Sequence, residues 1–234
     1  MTEFATEAIG EGRHRTRIDR GWWVGRGPNG GYIGALIVRA MEAELAEPDR
    51  QLRSLTVHYL RVPPEGEVDV LVTIERSGRA LSTVTARMVE GDRLLALAVG
   101  AFSSSYPSAI DYDDAPMPDV EPPGEMPEPR DGPMPIASQW RMKGALGRDG
   151  KAHTGGWMAP RDEHPVDAAL VVALTDAWIP APFVVKREPF AAPTIDLTVH
   201  IRATLPLPPQ PVLGEFTSSL SRDGYFEEDG WLWL

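Results

Sequence analysis

The sequence predicts an α+β protein with two similar halves, each a long helix wrapped by an antiparallel sheet. A helix pattern near the N-terminus is followed by a run of strand patterns with no helix between them. A weaker copy of this helix and of its following strand recurs later: residues 34–38 (GALIV) return as 168–172 (AALVV), and residues 55–58 (LTVH) return as 197–200. We interpret the recurrence as a tandem duplication, with chance similarity of short stretches as the alternative.

The first half contains one helix between an entry strand and a meander. An entry strand is predicted at 13–24, where apolar and polar residues alternate loosely. The helix is predicted at 32–45, because apolar residues return there at 3.6-residue spacing, and Pro48 ends it. Residues of alternating polarity, separated by glycine-containing turns, then predict strands at 52–60, 67–75, 81–89 and 94–102.

A connector rich in proline and acidic residues separates the halves, so the predicted domains are 1–104, 105–136 (the connector) and 137–234. In the second half a helix is predicted from about residue 166 to residue 179, between Pro165 and Pro180. Strands are predicted at 138–142, 155–158, 194–202 and 212–220. Compared with the first half, the second half lacks its last strand, and we expect a longer parent protein.

Composition narrows the possible partners and chemistry. The chain has 234 residues, 42% of them hydrophobic, and a formal net charge of −11, which makes nucleic acid an unfavourable partner. It contains no cysteine, which excludes thiol catalysis and thiolate metal sites. We find no secretory signal and no apolar run long enough to insert into a membrane, so we expect a cytoplasmic enzyme or binding protein.

Gly25, Gly27 and Gly30 match the spacing of the dinucleotide-binding fingerprint between a strand and a helix. That fingerprint belongs to a parallel sheet with alternating helices, whereas here several strands follow one another directly. The glycines are better explained by a tight loop that leaves N–H groups free at a helix N-terminus. Such groups can hold a carbonyl oxygen or a phosphate.

Asp176 is the strongest candidate for a functional side chain. The predicted helix is apolar on most of its surface, and after Asp167 in its first turn Asp176 is its one ionisable residue. In the register of the repeat it faces Glu42 of the first half. Because burying an unpaired carboxylate is costly, Asp176 needs a partner or a task. Alternatively, it is exposed near the helix end or paired with an arginine.

The predicted strand at 194–202 alternates strictly, and its polar residues form either a solvated surface or one wall of a site next to Asp176. Other chemistry is not supported. The five histidines lack metal-ligand spacing, and the sequence contains neither a Gly-x-Ser-x-Gly elbow nor a His-Glu-x-x-His motif.

The motifs taken together resemble a known family. They are residues 28–36 (PNGGYIGAL), 55–61 (LTVHYLR), 76–82 (RSGRALS), 174–176 (LTD) and 194–196 (TID). Over nearly its whole length the chain resembles the thioesterase-like proteins of the double-hotdog superfamily, akin to acyl-CoA thioesterase II. The resemblance implies a tandem (double) hotdog, in which two helix-and-sheet units are joined edge to edge.

The resemblance also implies site residues. In that family an aspartate on the second helix, a threonine on the next strand and a glutamine on the last strand hold the water that attacks the thioester. By position the aspartate is Asp176 and the threonine is Thr194, with Thr198 on the same strand face as a second candidate. The glutamine has no counterpart, because the strand expected to carry it lies beyond Leu234.

The implied activity is hydrolysis of an acyl-CoA to a free acid and CoA, with no metal or redox cofactor. Gly30, Gly31 and Tyr32, at the start of the first helix, are the candidates for binding the substrate. Free sheet edges favour a homo-oligomer, here a dimer of double hotdogs. The alternatives are a non-catalytic acyl-CoA or acyl-ligand binding protein, or an enoyl-thioester hydratase, which usually pairs an aspartate with a histidine.

Overall fold

The computed structural model describes residues 4–147, 149–185 and 190–234. Its α-helices are α1 (Gly30–Leu45), α2 (Ala168–Leu174) and α3 (Pro182–Val185). Its strands are β1 (Thr6–Gly10), β2 (Arg13–Ile18), β3 (Trp23–Val24), β4 (Gly27–Pro28), β5 (Gln51–Tyr59), β6 (Gly66–Ser77), β7 (Leu81–Glu90), β8 (Arg93–Ser103), β9 (Trp140–Leu146), β10 (His153–Pro160), β11 (Asp196–His200), β12 (Val212–Thr217), β13 (Ser221–Arg222), β14 (Tyr225–Phe226) and β15 (Asp229–Trp233).

The first half follows the predicted order of elements. The helix α1 begins after Asn29, whose side-chain oxygen accepts a hydrogen bond from the backbone N–H of Tyr32, and it ends at Ala46 in the left-handed conformation. The four strands of the meander are confirmed as β5 to β8. The entry strand is shorter than predicted: β2 ends at Ile18, and a short 3₁₀ turn, Arg20–Trp22, precedes β3.

Two antiparallel sheets carry the fold. The larger has seven strands in the order β1-β2-β6-β7-β8-β5-β11, and the smaller has four in the order β15-β12-β10-β9. All described pairs are antiparallel, which confirms the rejection of a parallel dinucleotide-binding sheet. The helix α1 packs across the larger sheet and against α2, and both helices are largely buried in one apolar core.

The predicted second helix is too long. α2 ends at Leu174, and residues 175–177 form a turn held by longer backbone hydrogen bonds three residues apart. The hydroxyl of Thr175 donates to the carbonyl of Val172 at 2.7 Å, which competes with the next helical hydrogen bond. Pro180 disfavours helical geometry at the preceding residue. Asp176 therefore lies just beyond α2, not inside a helix.

The strand after this turn belongs to the larger sheet. β11 pairs with β5, and Thr198 lies opposite Thr56 while Val199 and Leu197 lie opposite Leu55 and Val57. The two stretches of sequence LTVH are thus antiparallel neighbours. The predicted strand at 194–202 is shortened to Asp196–His200, which leaves Thr194 in the segment that leads into β11.

The connector carries no helix or strand from residue 104 to residue 134. It lies along the smaller sheet, where the indole N–H of Trp157 donates to the carbonyl of Glu121 at 2.9 Å and Lys143 donates to the carbonyl of Pro123 at 2.7 Å. Among the described residues, no helix is long and apolar enough to cross a membrane.

Candidate active site

Asp176 lies in the turn that follows α2, against the first turn of α1. The side-chain amide of Asn29 donates to Oδ2 of Asp176 at 2.9 Å and to its backbone carbonyl at 2.6 Å. The backbone N–H of Gly31 donates to the same Oδ2 at 3.1 Å. The N-terminus of α1, which carries the positive end of the helix dipole, therefore holds one carboxylate oxygen of Asp176.

This close approach requires glycine at two successive positions. A Cβ atom on Gly30 would lie 2.9 Å from Oδ2 of Asp176, and a Cβ atom on Gly31 would lie 2.7 Å from the carbonyl oxygen of Ala173. Both distances are shorter than real Cβ contacts. The pair of glycines thus lets α1 begin directly against the Asp176 turn.

The other carboxylate oxygen of Asp176, Oδ1, faces the segment that leads into β11. The hydroxyl of Thr194 lies 3.5 Å from Oδ1 of Asp176, which is at the outer limit of a hydrogen bond. Asp176 and Thr194 are both partly buried. Oδ1 is consequently held less tightly than Oδ2, and it shares its surroundings with a hydroxyl that can both donate and accept.

Tyr59, at the end of β5, contacts the two segments that lie on either side of the Asp176 carboxylate. Its hydroxyl donates to the carbonyl of Gly30 at 2.7 Å, and its backbone N–H donates to the carbonyl of Ile195 at 2.9 Å. Burial raises the pKa of Tyr59 well above its usual value, and the charges of Asp176 and Asp196 raise it further. The phenol therefore remains a proton donor over the physiological range of pH.

Burial raises the pKa of Asp176 above its usual value, because the protein surroundings disfavour the charged form of the carboxyl group. The N–H groups of Gly31 and Gly30, the hydroxyl of Thr194 and the amide of Asn29 oppose this increase by stabilising the charged form. The acid is therefore a stronger proton acceptor than an exposed aspartate, and the groups that hold it are uncharged.

Another carboxyl group lies near enough for its titration to be influenced by Asp176. Burial raises the pKa of Glu228 to about 7, and the charges of Asp176 and Glu227 raise it as well. The N–H of Ala181 donates to Oε2 of Glu228 and opposes the increase. Glu228 immediately precedes β15, and the sequence provided no local pattern that singled it out.

The structure brings together Asp176, Thr194, Gly30 and Gly31 from the predicted site. It places Thr198 beside Thr56, with the two hydroxyl oxygens 3.1 Å apart. Tyr32 lies in the core, where its ring stacks on Trp22 and its hydroxyl donates to the carbonyl of Arg17 at 3.0 Å. Thr198 and the side chain of Tyr32 therefore contribute to packing and pairing in this structure.

Glu42, which the predicted repeat aligns with Asp176, has different neighbours. Glu42 accepts a hydrogen bond from the guanidinium of Arg39 at 3.2 Å, and Arg39 also forms an ion pair with Asp167, the residue that caps α2. Burial raises the pKa of Glu42, and Arg39 opposes the increase. The partner of Glu42 is thus a cation, whereas the described hydrogen-bond donors to Asp176 are neutral.

Sequence reasoning missed three residues near the carboxylate: Asn29, Tyr59 and Glu228. Asn29 could be found as a helix cap, because asparagine directly before a helix is a common N-terminal signal. Its second role, a contact with a residue 147 positions away, has no local signature. The same holds for Tyr59, which reads as an ordinary strand residue.

Two family models match the chain. The model described as the acyl-CoA thioesterase N-terminal domain matches residues 19–103, and the model described as the acyl-CoA thioesterase C-terminal domain matches residues 109–234. An uncharacterised protein of Mycobacterium tuberculosis is 25% identical over 217 residues, covering 80% of this chain and 74% of that protein.

Solved structures share the fold. A conserved protein of unknown function with a hot dog fold, from Alicyclobacillus acidocaldarius, has a TM-score of 0.86 at 23% identity and covers 99% of this chain and 90% of its own. An acyl-CoA thioesterase II from Mycobacterium marinum has a TM-score of 0.75 at 18% identity, with coverages of 98% and 90%. At these identities the similarity establishes the fold, and the α+β prediction with antiparallel sheets is confirmed.

Proposed function

Since the chain belongs to the acyl-CoA thioesterase family, whose two domain models match it along most of its length, we propose that it hydrolyses an acyl-CoA thioester to a free acid and CoA. The observation that carries the proposal is the hydrogen bonding of Asp176. Asn29 and Gly31 hold Oδ2, while Oδ1 faces the hydroxyl of Thr194. This arrangement leaves one oxygen of a strengthened base beside a group that can orient a water molecule.

The reaction then proceeds in two steps. Oδ1 of Asp176 takes a proton from water as the water oxygen bonds to the thioester carbonyl carbon, which forms a tetrahedral intermediate. The C–S bond breaks when the carbonyl forms again, and the departing CoA sulfur receives the proton held by Asp176. The acid product releases its own proton to solvent at neutral pH, so Asp176 returns to its charged form.

Gly30 and Gly31 receive a changed role in this proposal. The sequence suggested that their N–H groups bind the substrate carbonyl. In the structure the N–H of Gly31 donates to Asp176, and both glycine N–H groups stabilise the charged carboxylate. We assign them to positioning the base.

We also infer that the two halves are related as a tandem pair of hotdog units. The support is the pairing of β5 with β11, in which two copies of one sequence run antiparallel with Thr56 opposite Thr198. An approximate two-fold axis through this threonine pair would relate Leu55 to Leu197 and Val57 to Val199. On this basis the first unit spans 1–104 and the second 137–234, joined by the connector.

The substitution Asp176→Asn tests the activity, because it keeps the shape of the side chain and removes the base. Hydrolysis of acyl-CoA substrates of increasing chain length should fall by at least about 100-fold, the usual contribution of a general base. Asp92→Asn, in the exposed turn between β7 and β8, is the control. Wild-type rates in Asp176→Asn would reject Asp176 as the base.

Binding distinguishes hydrolysis from simple ligand capture. A non-hydrolysable thioether analogue of acyl-CoA should bind Asp176→Asn about as well as the unsubstituted chain. If the unsubstituted chain binds the analogue but does not cleave the thioester, the protein is an acyl-CoA binding protein and the hydrolase proposal is wrong.

A further inference from the structure

Tyr59 and Asp176 bind opposite ends of a single peptide group. The carbonyl of Gly30 and the N–H of Gly31 belong to the same planar, resonance-stabilised unit. Its oxygen accepts a hydrogen bond from the Tyr59 hydroxyl at 2.7 Å, and its N–H donates to Oδ2 of Asp176 at 3.1 Å. Hydrogen bonds linked in this way polarise one another, so donation to the oxygen strengthens the N–H as a donor.

Tyr59 also fixes the element on the other side of the carboxylate. Its backbone N–H donates to the carbonyl of Ile195 at 2.9 Å, and Ile195 directly follows Thr194. One residue of β5 therefore holds both the peptide that binds Oδ2 and the segment whose hydroxyl faces Oδ1. The ring occupies the space beside Gly30, where an added Cβ would lie 3.2 Å from its Cζ atom.

We propose that Tyr59 is a positioning residue for thioester hydrolysis, acting on Asp176 through the Gly30–Gly31 peptide. The proposal rests on the proposed function. Because its proton is already donated to the carbonyl of Gly30, Tyr59 does not serve as an acid towards substrate. Its effect is to stabilise the charged form of Asp176 and to fix the direction in which Oδ1 points.

The test uses Tyr59→Phe, which removes the hydroxyl and keeps the ring. Weakening the Gly31 donor raises the pKa of Asp176, so the acidic limb of the pH–rate profile moves to higher pH. At a pH on the acidic limb the turnover number should fall about two- to fourfold with KM nearly unchanged, because a smaller fraction of Asp176 is charged there. The size follows from cooperative strengthening of about 10–30% of a hydrogen bond to a charged group. A change in KM alone would contradict the assignment.

A direct titration separates this inference from the proposed function. Carbon-13 NMR of labelled aspartate carboxyls follows Asp176 whether or not the chain is active, with Asp176→Asn identifying its signal. The titration midpoint should be higher in Tyr59→Phe than in the unsubstituted chain. If the unsubstituted chain fails to cleave acyl-CoA, the proposed function fails, while the NMR comparison still decides whether Tyr59 acts on Asp176.

Two further variants control for structure. Tyr32→Phe removes another buried hydroxyl that donates to a backbone carbonyl, so it should cost similar stability without moving the Asp176 midpoint. If Tyr59→Phe does not fold, 3-fluorotyrosine at position 59 keeps the shape and strengthens the phenol as a donor, which should lower the midpoint. An unchanged midpoint in the folded Tyr59 variant would overturn the proposal.

Discussion

The substitution Gly31→Ala tests whether the candidate site depends on direct contact between α1 and the Asp176 turn. An added Cβ would lie 2.7 Å from the carbonyl oxygen of Ala173 and 3.0 Å from that of Val172. Both neighbours are backbone atoms at the end of α2, and neither can move aside by rotating a side chain. The start of α1 must therefore shift, or α2 must.

The size of the shift follows from the contact distances. Ordinary contact begins at 3.4 Å, so the closest pair, at 2.7 Å, must separate by about 0.7 Å. The Gly31 N–H already lies 3.1 Å from Oδ2 of Asp176, and a similar displacement would carry it beyond hydrogen-bonding range. Misplacement on this scale can reduce a rate by about 100-fold.

Stability should fall too little to unfold the chain, so a loss of activity would report on the site. Alanine favours a helix by up to about 1 kcal/mol over glycine, while overpacking typically costs about 1–3 kcal/mol. We therefore expect a net loss of no more than about 2 kcal/mol in the free energy of unfolding, measured by urea denaturation. The rate of acyl-CoA hydrolysis should fall between about 10- and 100-fold.

Gly34→Ala, one turn further along α1, is the matched control. Its added Cβ would meet Cγ1 of Val172 at 2.8 Å, a side-chain methyl group with more freedom to adjust than the backbone. This variant should keep most of its activity. If Gly31→Ala hydrolyses acyl-CoA at the unsubstituted rate, or if both alanine variants lose activity equally, the close approach at Gly31 is not what positions Asp176.

Two further predictions concern the groups around Asp176. Asn29→Ser keeps a helix cap but removes the amide that reaches Oδ2, so hydrolysis should fall by about tenfold while the thermal midpoint changes little. The pKa of Glu228 is raised from 4.5 to about 7. Between these pH values the folded state therefore binds more protons than the unfolded state. The free energy of unfolding should consequently fall as pH rises through that range. Urea denaturation should show a weaker dependence on pH in Glu228→Gln, and an unchanged slope would contradict the assignment.

Local pattern was sufficient to predict the first helix and the four-stranded meander that follows it, but not the strands before them. The helix α1 and the strands β5 to β8 alternate or repeat in a way that leaves one face apolar, and each is bounded by glycine or proline. The second helix was overextended for a physical reason. Its apolar run continues past Leu174, but the hydroxyl of Thr175 turns back to the carbonyl of Val172.

The candidate site was only partly predictable, because its chemistry comes from residues distant in sequence. The sequence predicted Asp176 as a functional acid because its neighbours are apolar, and the resemblance to thioesterases indicated Thr194. The groups that hold its carboxylate come from the start of α1, 145 and 147 positions away, and no local pattern encodes those contacts. The sequence showed the pair Gly30–Gly31, but it did not show that these residues contact the carboxylate of Asp176.

The two acids that the predicted repeat aligns, Glu42 and Asp176, differ in their partners, and this difference supports the proposal that the second half carries the chemistry. Burial raises the pKa of Glu42, and its hydrogen bond to Arg39, which is itself bound to Asp167, opposes that increase. A base paired with a fixed cation holds a proton less readily. The described donors around Asp176 are an amide, a hydroxyl and backbone N–H groups, which orient the carboxylate without supplying a full positive charge. We infer that replacing a cation by neutral donors leaves Asp176 able to accept the proton of a water molecule, whereas Glu42 is kept as part of an ion pair that joins α1 to α2.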